Sequence, residues 1–145
     1  MRSDFDDVEN KTVNHTSAAL FTRATQEVPA PNRMMRVYIA SPYTIGDVAV
    51  NVKAQIDCAD DLMDRGFAPF WPLFSHFQHL VRPRPYEDWI KVDLEWVLVC
   101  DALLRLPGPS KGADDEVKYA NDHGIPVFTS VFELERYRAE EFKGD

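Results

Sequence analysis

DALLRLPGPSKGADDE, residues Asp101 to Glu116, is the stretch whose reading decides the fold. Ala102-Leu103-Leu104, continuing to Leu106, is a short apolar run of the kind that forms a buried strand. Pro107-Gly108-Pro109 then stops regular structure, because proline lacks the N–H that a strand or helix needs. Ser110-Lys111-Gly112 follows, and beyond it a helical run from about Ala113 to His123 carries Glu116. A strand, a tight glycine-containing loop and a helix N-terminus in succession present backbone N–H groups to an anion. Glu116, placed by this reading on the first turn of its helix, is the candidate for chemistry.

Working outward, the same alternation recurs on both sides. Upstream, Tyr86 to Cys100 reads as a helix with an apolar stripe at Trp89, Val92, Trp96, Val99 and Cys100, and Asp93 lies at the edge of that stripe. A carboxylate at a half-buried helical position has a partner or a job. Pro72 to Pro85 reads as a long loop containing His76, His79, Arg82 and Arg84. Phe67 to Trp71 is a strand that Pro69 assigns to an edge or bulge. Asp47 is a good N-cap for a helix with Val48, Val52, Ile56, Ala59, Leu62 and Met63 at helical spacing, ending at Gly66. Arg36 to Ala40 is the first strand, followed by the loop Ser41 to Gly46.

Downstream, Gly124 ends the helix after the organising loop, and Ile125 to Thr129 is a fourth strand. Ser130-Val131-Phe132-Glu133 is a capping box that opens a last helix. The order βαβαβαβα predicts an α/β, Rossmann-like sandwich, with a mainly parallel sheet of four or five strands flanked by helices. Residues 1–33 have scattered apolar residues, no sustained period and a Pro-Ala-Pro stretch, with at most a transient turn over Ser17 to Ala24. They read as a poorly ordered extension to a domain spanning residues 34–145.

Composition narrows the partners. The chain has 145 residues, 45% of them apolar, which supports one substantial core. A net charge of −8 argues against a polymeric nucleic acid as partner, because phosphate neutralisation needs a basic face. It leaves room for a small anion held by the local field of one pocket. Cys58 and Cys100 lack metal-ligand or redox spacing and read as free thiols of a reducing cytoplasm. No apolar run approaches the roughly 18 residues that span a membrane, and no secretory signal is recognisable.

In an open α/β sheet, ligands bind beyond the carboxyl ends of the strands. That edge collects the Ser41–Gly46, Pro72–Pro85 and Pro107–Gly112 loops together with Glu116. The helix dipole favours the ionised form of Glu116. On the pattern alone two roles remain open, a complement to the dipole and a positioned nucleophile or electrostatic partner. Tyr38 is equally readable as core or site. His76 and His79 have HxxH spacing without a third ligand, so loop packing or ligand contact outweighs a metal. Trp71, Phe77 and Trp89 are aromatic core or a stacking face for a base.

VYIASPY (37–43), the helix around Asp93-Leu94, CDALLRL (100–106) and SKGADDE (110–116), in this order and spacing, resemble the nucleoside 2-deoxyribosyltransferase superfamily. That group includes the 2′-deoxynucleoside 5′-monophosphate N-glycosidases. The resemblance covers about residues 35 to 135. It implies a nucleophilic Glu116, a proton-donating Asp93 that contacts the base, and a Tyr38 that holds Glu116. Ser110 takes the place that binds the sugar 5′ group, where transferases carry an aspartate and monophosphate hydrolases a serine. Lys111 and Gly112 stand beside it, and Ser41 and His76 join them as substrate contacts.

The activity implied is cleavage of the N-glycosidic bond of a nucleoside or its 5′-monophosphate through a glycosyl-enzyme intermediate. The alternatives are base exchange by a transferase and a nucleotide-binding module without turnover. No cofactor is implied, and a homodimer or larger homo-oligomer is. One departure stands out. The hydrolases' Arg-Gly-Gly-type loop after the first strand is replaced by Ser41 to Gly46, which leaves Arg82, Arg84 or Lys111 to supply a cation.

Overall fold

The computed structural model describes residues 31–145, and the expected extension lies, but for its last three residues, outside them. Pro31–Asp145 form one compact unit. Four strands, β1 (Arg36–Ala40), β2 (Ala68–Phe70), β3 (Ala102–Arg105) and β4 (Val127–Phe128), make a parallel sheet in the order β2-β1-β3-β4. Five helices connect and flank them: α1 (Val48–Asp64), α2 (Ser75–Val81), α3 (Tyr86–Val99), α4 (Lys111–Asp122) and α5 (Val131–Glu140). The α/β class and parallel sheet are as the alternation predicts, and Pro69 lies on an edge strand.

The period of two along the strands sorts the core into two layers. Val37, Ile39, Ala102 and Leu104 face Ala59 and Leu62 of α1 and Leu134 of α5. Tyr38, Ala40 and Leu103 face Val97 of α3 and Ala113 and Ala120 of α4. The register pairs Tyr38 with Leu103, so the one tyrosine of β1 lies under α4. Asp101 ties the opposite end of the sheet. It accepts two bonds from Arg33, at 2.6 and 2.9 Å, and one from the Arg36 N–H at 2.7 Å.

Three local readings need correction. Pro72–Pro85 is not an open loop, since a 3₁₀ turn at Pro72–Phe74 runs into α2. α2 has no buried residue, so it carries no core-facing period for a sequence reading to find. In α3 only Val97 is fully buried, and Val92, Trp96 and Val99 are about half exposed, with Trp96 stacked on Phe70 at the edge of the sheet. In α1 the buried face is Val52, Gln55, Ala59 and Leu62, whereas Ile56 and Met63 point outward.

The caps hold better. Asp47 accepts from the Val50 N–H and Ser130 from the Glu133 N–H, and Gly66 takes φ +80° just after the C-cap of α1.

The chain turns outward in opposite directions from β1 and β3, and a crevice opens at such a switch point. Its two loops touch at Gly108, where φ is +113° and a Cβ would stand 2.9 Å from the Pro42 ring. Both the sign of φ and the rigid ring require glycine. Gly108→Ala should therefore lower stability by about 1–3 kcal/mol, read as a reduced thermal midpoint. A midpoint unchanged within a degree would show that the loops are not packed this way.

Candidate functional site

Helix α4 starts two residues earlier than its sequence suggests. Ser110 is the N-cap, with extended backbone and its Oγ accepting from the Ala113 N–H at 3.2 Å. Glu116 is thereby the sixth helical residue, in the second turn, where the dipole has largely faded. It is also buried, at 6% exposure, on the face of α4 that packs against β1. Tyr38 donates its hydroxyl to Glu116 Oε1 at 2.7 Å from within the sheet.

Burial reverses the expected electrostatics. Desolvation pushes the Glu116 carboxyl up to about 8, the Tyr38 bond and the Arg105 guanidinium oppose this, and Asp93 adds to it. Asp93 is pushed up to about 6, again by burial. Tyr38 is raised well above its usual range by burial and by the neighbouring Glu116 and Asp93 charges, so it stays a donor. The expectation of a Glu116 ionised by the dipole is corrected. Burial favours the protonated form of both carboxyls, more strongly at Glu116 than at Asp93.

Above them lies a cavity of about 480 Å³ at the carboxyl ends of β1 and β3. Glu116 and Asp93 line it, as do Ser41, His76, Ser110, Lys111 and Gly112. Tyr38 stands behind Glu116, so all eight residues singled out from the sequence are brought together. Lys111 is exposed and pairs with Asp115 one turn on, a contact weak enough to exchange. Gly112 lies directly under Tyr86, whose hydroxyl would be 3.1 Å from a Cβ there. Arg84 also lines the cavity, while Arg82 does not. Of the three aromatic side chains considered for stacking, Trp89 reaches the cavity and Trp71 and Phe77 do not.

The histidines of α2 are engaged by neighbours. His76 Nδ1 bonds Tyr43 Oη at 2.8 Å, and His79 Nδ1 accepts from Trp89 Nε1 at 3.1 Å. An indole N–H only donates, so His79 Nδ1 is the acceptor of that pair. Among the described residues no group of three His, Cys, Asp or Glu side chains is placed to hold a metal ion.

Sequence reasoning missed Asn51 and Gln55, two amides one turn apart on α1. Asn51 donates to the Tyr43 and Ile45 carbonyls at 2.8 and 2.9 Å and shapes the first loop. Gln55 is buried beside Ser41. The available signal was its position, three residues after Val52 and four before Ala59 on the buried stripe.

A family model described as a domain of unknown function (DUF7768) matches residues 35–130. No curated protein matches the chain. Among solved structures, a 2-deoxyribosyltransferase from the psychrotolerant bacterium Bacillus psychrosaccharolyticus is similar over 63% of this chain and 69% of its own. The identity is 22% and the TM-score 0.48.

A buried carboxyl with a raised folded-state pKa gives stability that is fully present below its unfolded value. That contribution is lost as pH rises through the folded value. For Glu116 the window runs from about 4.5 to about 8. Glu116→Gln keeps an acceptor for Tyr38 and removes the charge, so its thermal midpoint should exceed that of the parent by a margin that grows from pH 5 to pH 8. A margin independent of pH would contradict the burial argument.

Proposed function

The chain belongs to the DUF7768 family, whose description assigns no activity, and we propose that its cavity cleaves the N-glycosidic bond of a nucleoside or a nucleoside 5′-monophosphate. What carries this reading is the buried Tyr38–Glu116 pair with Asp93 beside it, at the floor of a cavity fit for a small molecule. The sequence resemblance to the nucleoside 2-deoxyribosyltransferase superfamily supplies the substrate class.

In this reading a Glu116 carboxylate oxygen attacks C1′ as the C1′–N bond breaks. The departing base takes its proton from Asp93, leaving a glycosyl ester. Water then attacks C1′, gives its proton to Asp93, and the ester bond to Glu116 breaks. Retention of configuration follows from the two displacements. The chemistry requires one proton on the pair, with the charge on Glu116. The Tyr38 hydrogen bond favours that placement, and so does a cationic sugar above it.

The 5′ end of the sugar would lie at the start of α4, where Ser110, the N-terminal amides and Lys111 attract a phosphate. Base release from monophosphates should then exceed that from nucleosides by tens-fold in kcat/KM. Ser110→Asp preserves the N-cap, so it tests charge alone and should reverse the preference. Equal rates on both substrates, or base exchange outrunning hydrolysis when a second base is added, would favour the transferase reading.

Activity should follow the singly protonated pair, falling below about pH 6 and above about pH 8. Free base released from a panel of nucleosides and monophosphates measures this directly. Glu116→Gln should abolish release. Turnover by that variant within a few-fold of the parent would sink the nucleophile assignment.

Self-association belongs to the same reading. Val92, Trp96 and Val99 form an apolar face on α3, Trp96 stacks on Phe70 of the edge strand, and Phe74 and Phe77 are exposed nearby. Apolar surface gathered in this way marks an interaction site. Sedimentation at micromolar concentration should find a dimer or larger species that Trp96→Lys dissociates. A parent protein that is monomeric and fully active would remove the idea.

A further inference from the structure

Among the described residues only three polar or charged ones are buried, Ser41, Gln55 and Glu116, and all three line the same cavity. Glu116 has its part in the chemistry proposed above, whereas Gln55 has none. At 1% exposure, its amide must be fully bonded or strongly destabilising.

The bonds leave it no freedom. Oε1 accepts from the Leu73 N–H at 2.8 Å, and Nε2 donates to the Ile39 carbonyl at 3.0 Å. A backbone N–H can only donate and a carbonyl can only accept, so the amide cannot be flipped. The remaining Nε2 hydrogen goes to Ser41 Oγ at 2.8 Å. That bond makes Ser41 Oγ an acceptor on its protein side. Among the described residues no acceptor takes the Ser41 hydroxyl proton, and Ser41 borders the cavity.

We propose that Gln55 is a positioning residue that makes Ser41 a hydrogen-bond donor to the ligand, which presents an acceptor oxygen or nitrogen over the carboxyl end of β1. The ligand class rests on the N-glycosidase reading, since nucleosides and their monophosphates carry such acceptors on sugar, phosphate and base. Gln55 also joins the end of β1 to the turn after β2, so a purely structural role is the competing account.

Calorimetric binding of nucleosides and of 5′-monophosphates, in a Glu116→Gln background that prevents turnover, separates the two. Ser41→Ala should weaken binding about three- to tenfold, and because it leaves one buried Gln55 Nε2 hydrogen without an acceptor it should also lower the thermal midpoint. Gln55→Met should weaken binding by a similar factor and also lower the midpoint. The double variant should bind no worse than the weaker single variant, because Gln55 acts through Ser41.

Gln55→Glu adds a readout that a structural role would not move. Its carboxylate, once ionised, would accept the Ser41 proton, so binding should fall as pH rises and recover at acid pH, beyond any change in the background protein. A loss confined to monophosphates would place the acceptor on the phosphate, and an equal loss on nucleosides would place it on the sugar or base. Unaltered binding by Ser41→Ala, additive losses in the double variant, or a pH-independent Gln55→Glu would each overturn the proposal while leaving the glycosidase reading intact. Failure of the Glu116→Gln protein and of the parent to bind any member of the panel would overturn that reading first, and this proposal with it.

Discussion

A single buried hydrogen bond, from the Tyr38 hydroxyl to Glu116 Oε1, governs the arrangement of the site. A carboxyl removed from water is costly unless it is neutralised or bonded, and Glu116 is buried against the central strand of the sheet. Tyr38 reaches it because the strand period turns that side chain toward α4, while its neighbours Val37 and Ile39 face the opposite layer. A shift of one residue in the register would bring an aliphatic side chain under α4 and leave the carboxyl without its donor. The pairing of Tyr38 with Leu103 is therefore as much a property of the site as of the sheet.

The loops are held by short-range devices that do not depend on that bond. Ser110 caps α4, Asn51 gathers two carbonyls of the first loop, and Gly108 lets the Pro42 ring approach the second. The cavity between them is bounded by elements from both sides of the switch point. α2 closes another side and contributes no buried residue. It is held by packing of its surface and by the Tyr43–His76 and Trp89–His79 bonds. Its placement thus rests more on polar contacts than on apolar burial, unlike that of α1 or α5.

What was legible in the sequence follows from this division. Apolar runs bounded by proline and glycine gave the strands, and Asp47 and Ser130 marked helix starts, because these signals act over a few residues, whereas Ser110 read as part of a loop. The Ser41–Gly46, Pro72–Pro85 and Pro107–Gly112 loops and Glu116 could be gathered because strand–loop–helix order places them at one edge, whereas Asp93 and Tyr38 were drawn to the site by the family resemblance. Burial was not legible. Glu116 looked like a surface acid in a first turn, and only the packing of α4 on β1 makes it a buried one. Gln55 resembled any polar residue of an amphipathic helix, and its meaning depends on the Leu73 N–H, eighteen residues away. The stripe of α3 misled in the opposite direction, since apolar periodicity tells which face is sticky and not what covers it.

The two carboxyls constrain each other more tightly than either constrains the fold. With Glu116 raised to about 8 even after the lowering by Tyr38 and Arg105, and Asp93 raised to about 6, burial favours the proton on Glu116. The proposed chemistry needs that proton on Asp93. Three influences act in that direction: the Tyr38 donor on Oε1, the Arg105 guanidinium, and positive charge growing at C1′. The first two are present before a ligand enters, and the third exists only as the glycosidic bond lengthens. A Glu116 that becomes a good anion as the sugar becomes a cation is stabilised selectively in the transition state, which is the requirement for raising the rate of the chemical step. In that view the burial that makes Glu116 a poor anion at rest also keeps water from screening its charge when the sugar needs it.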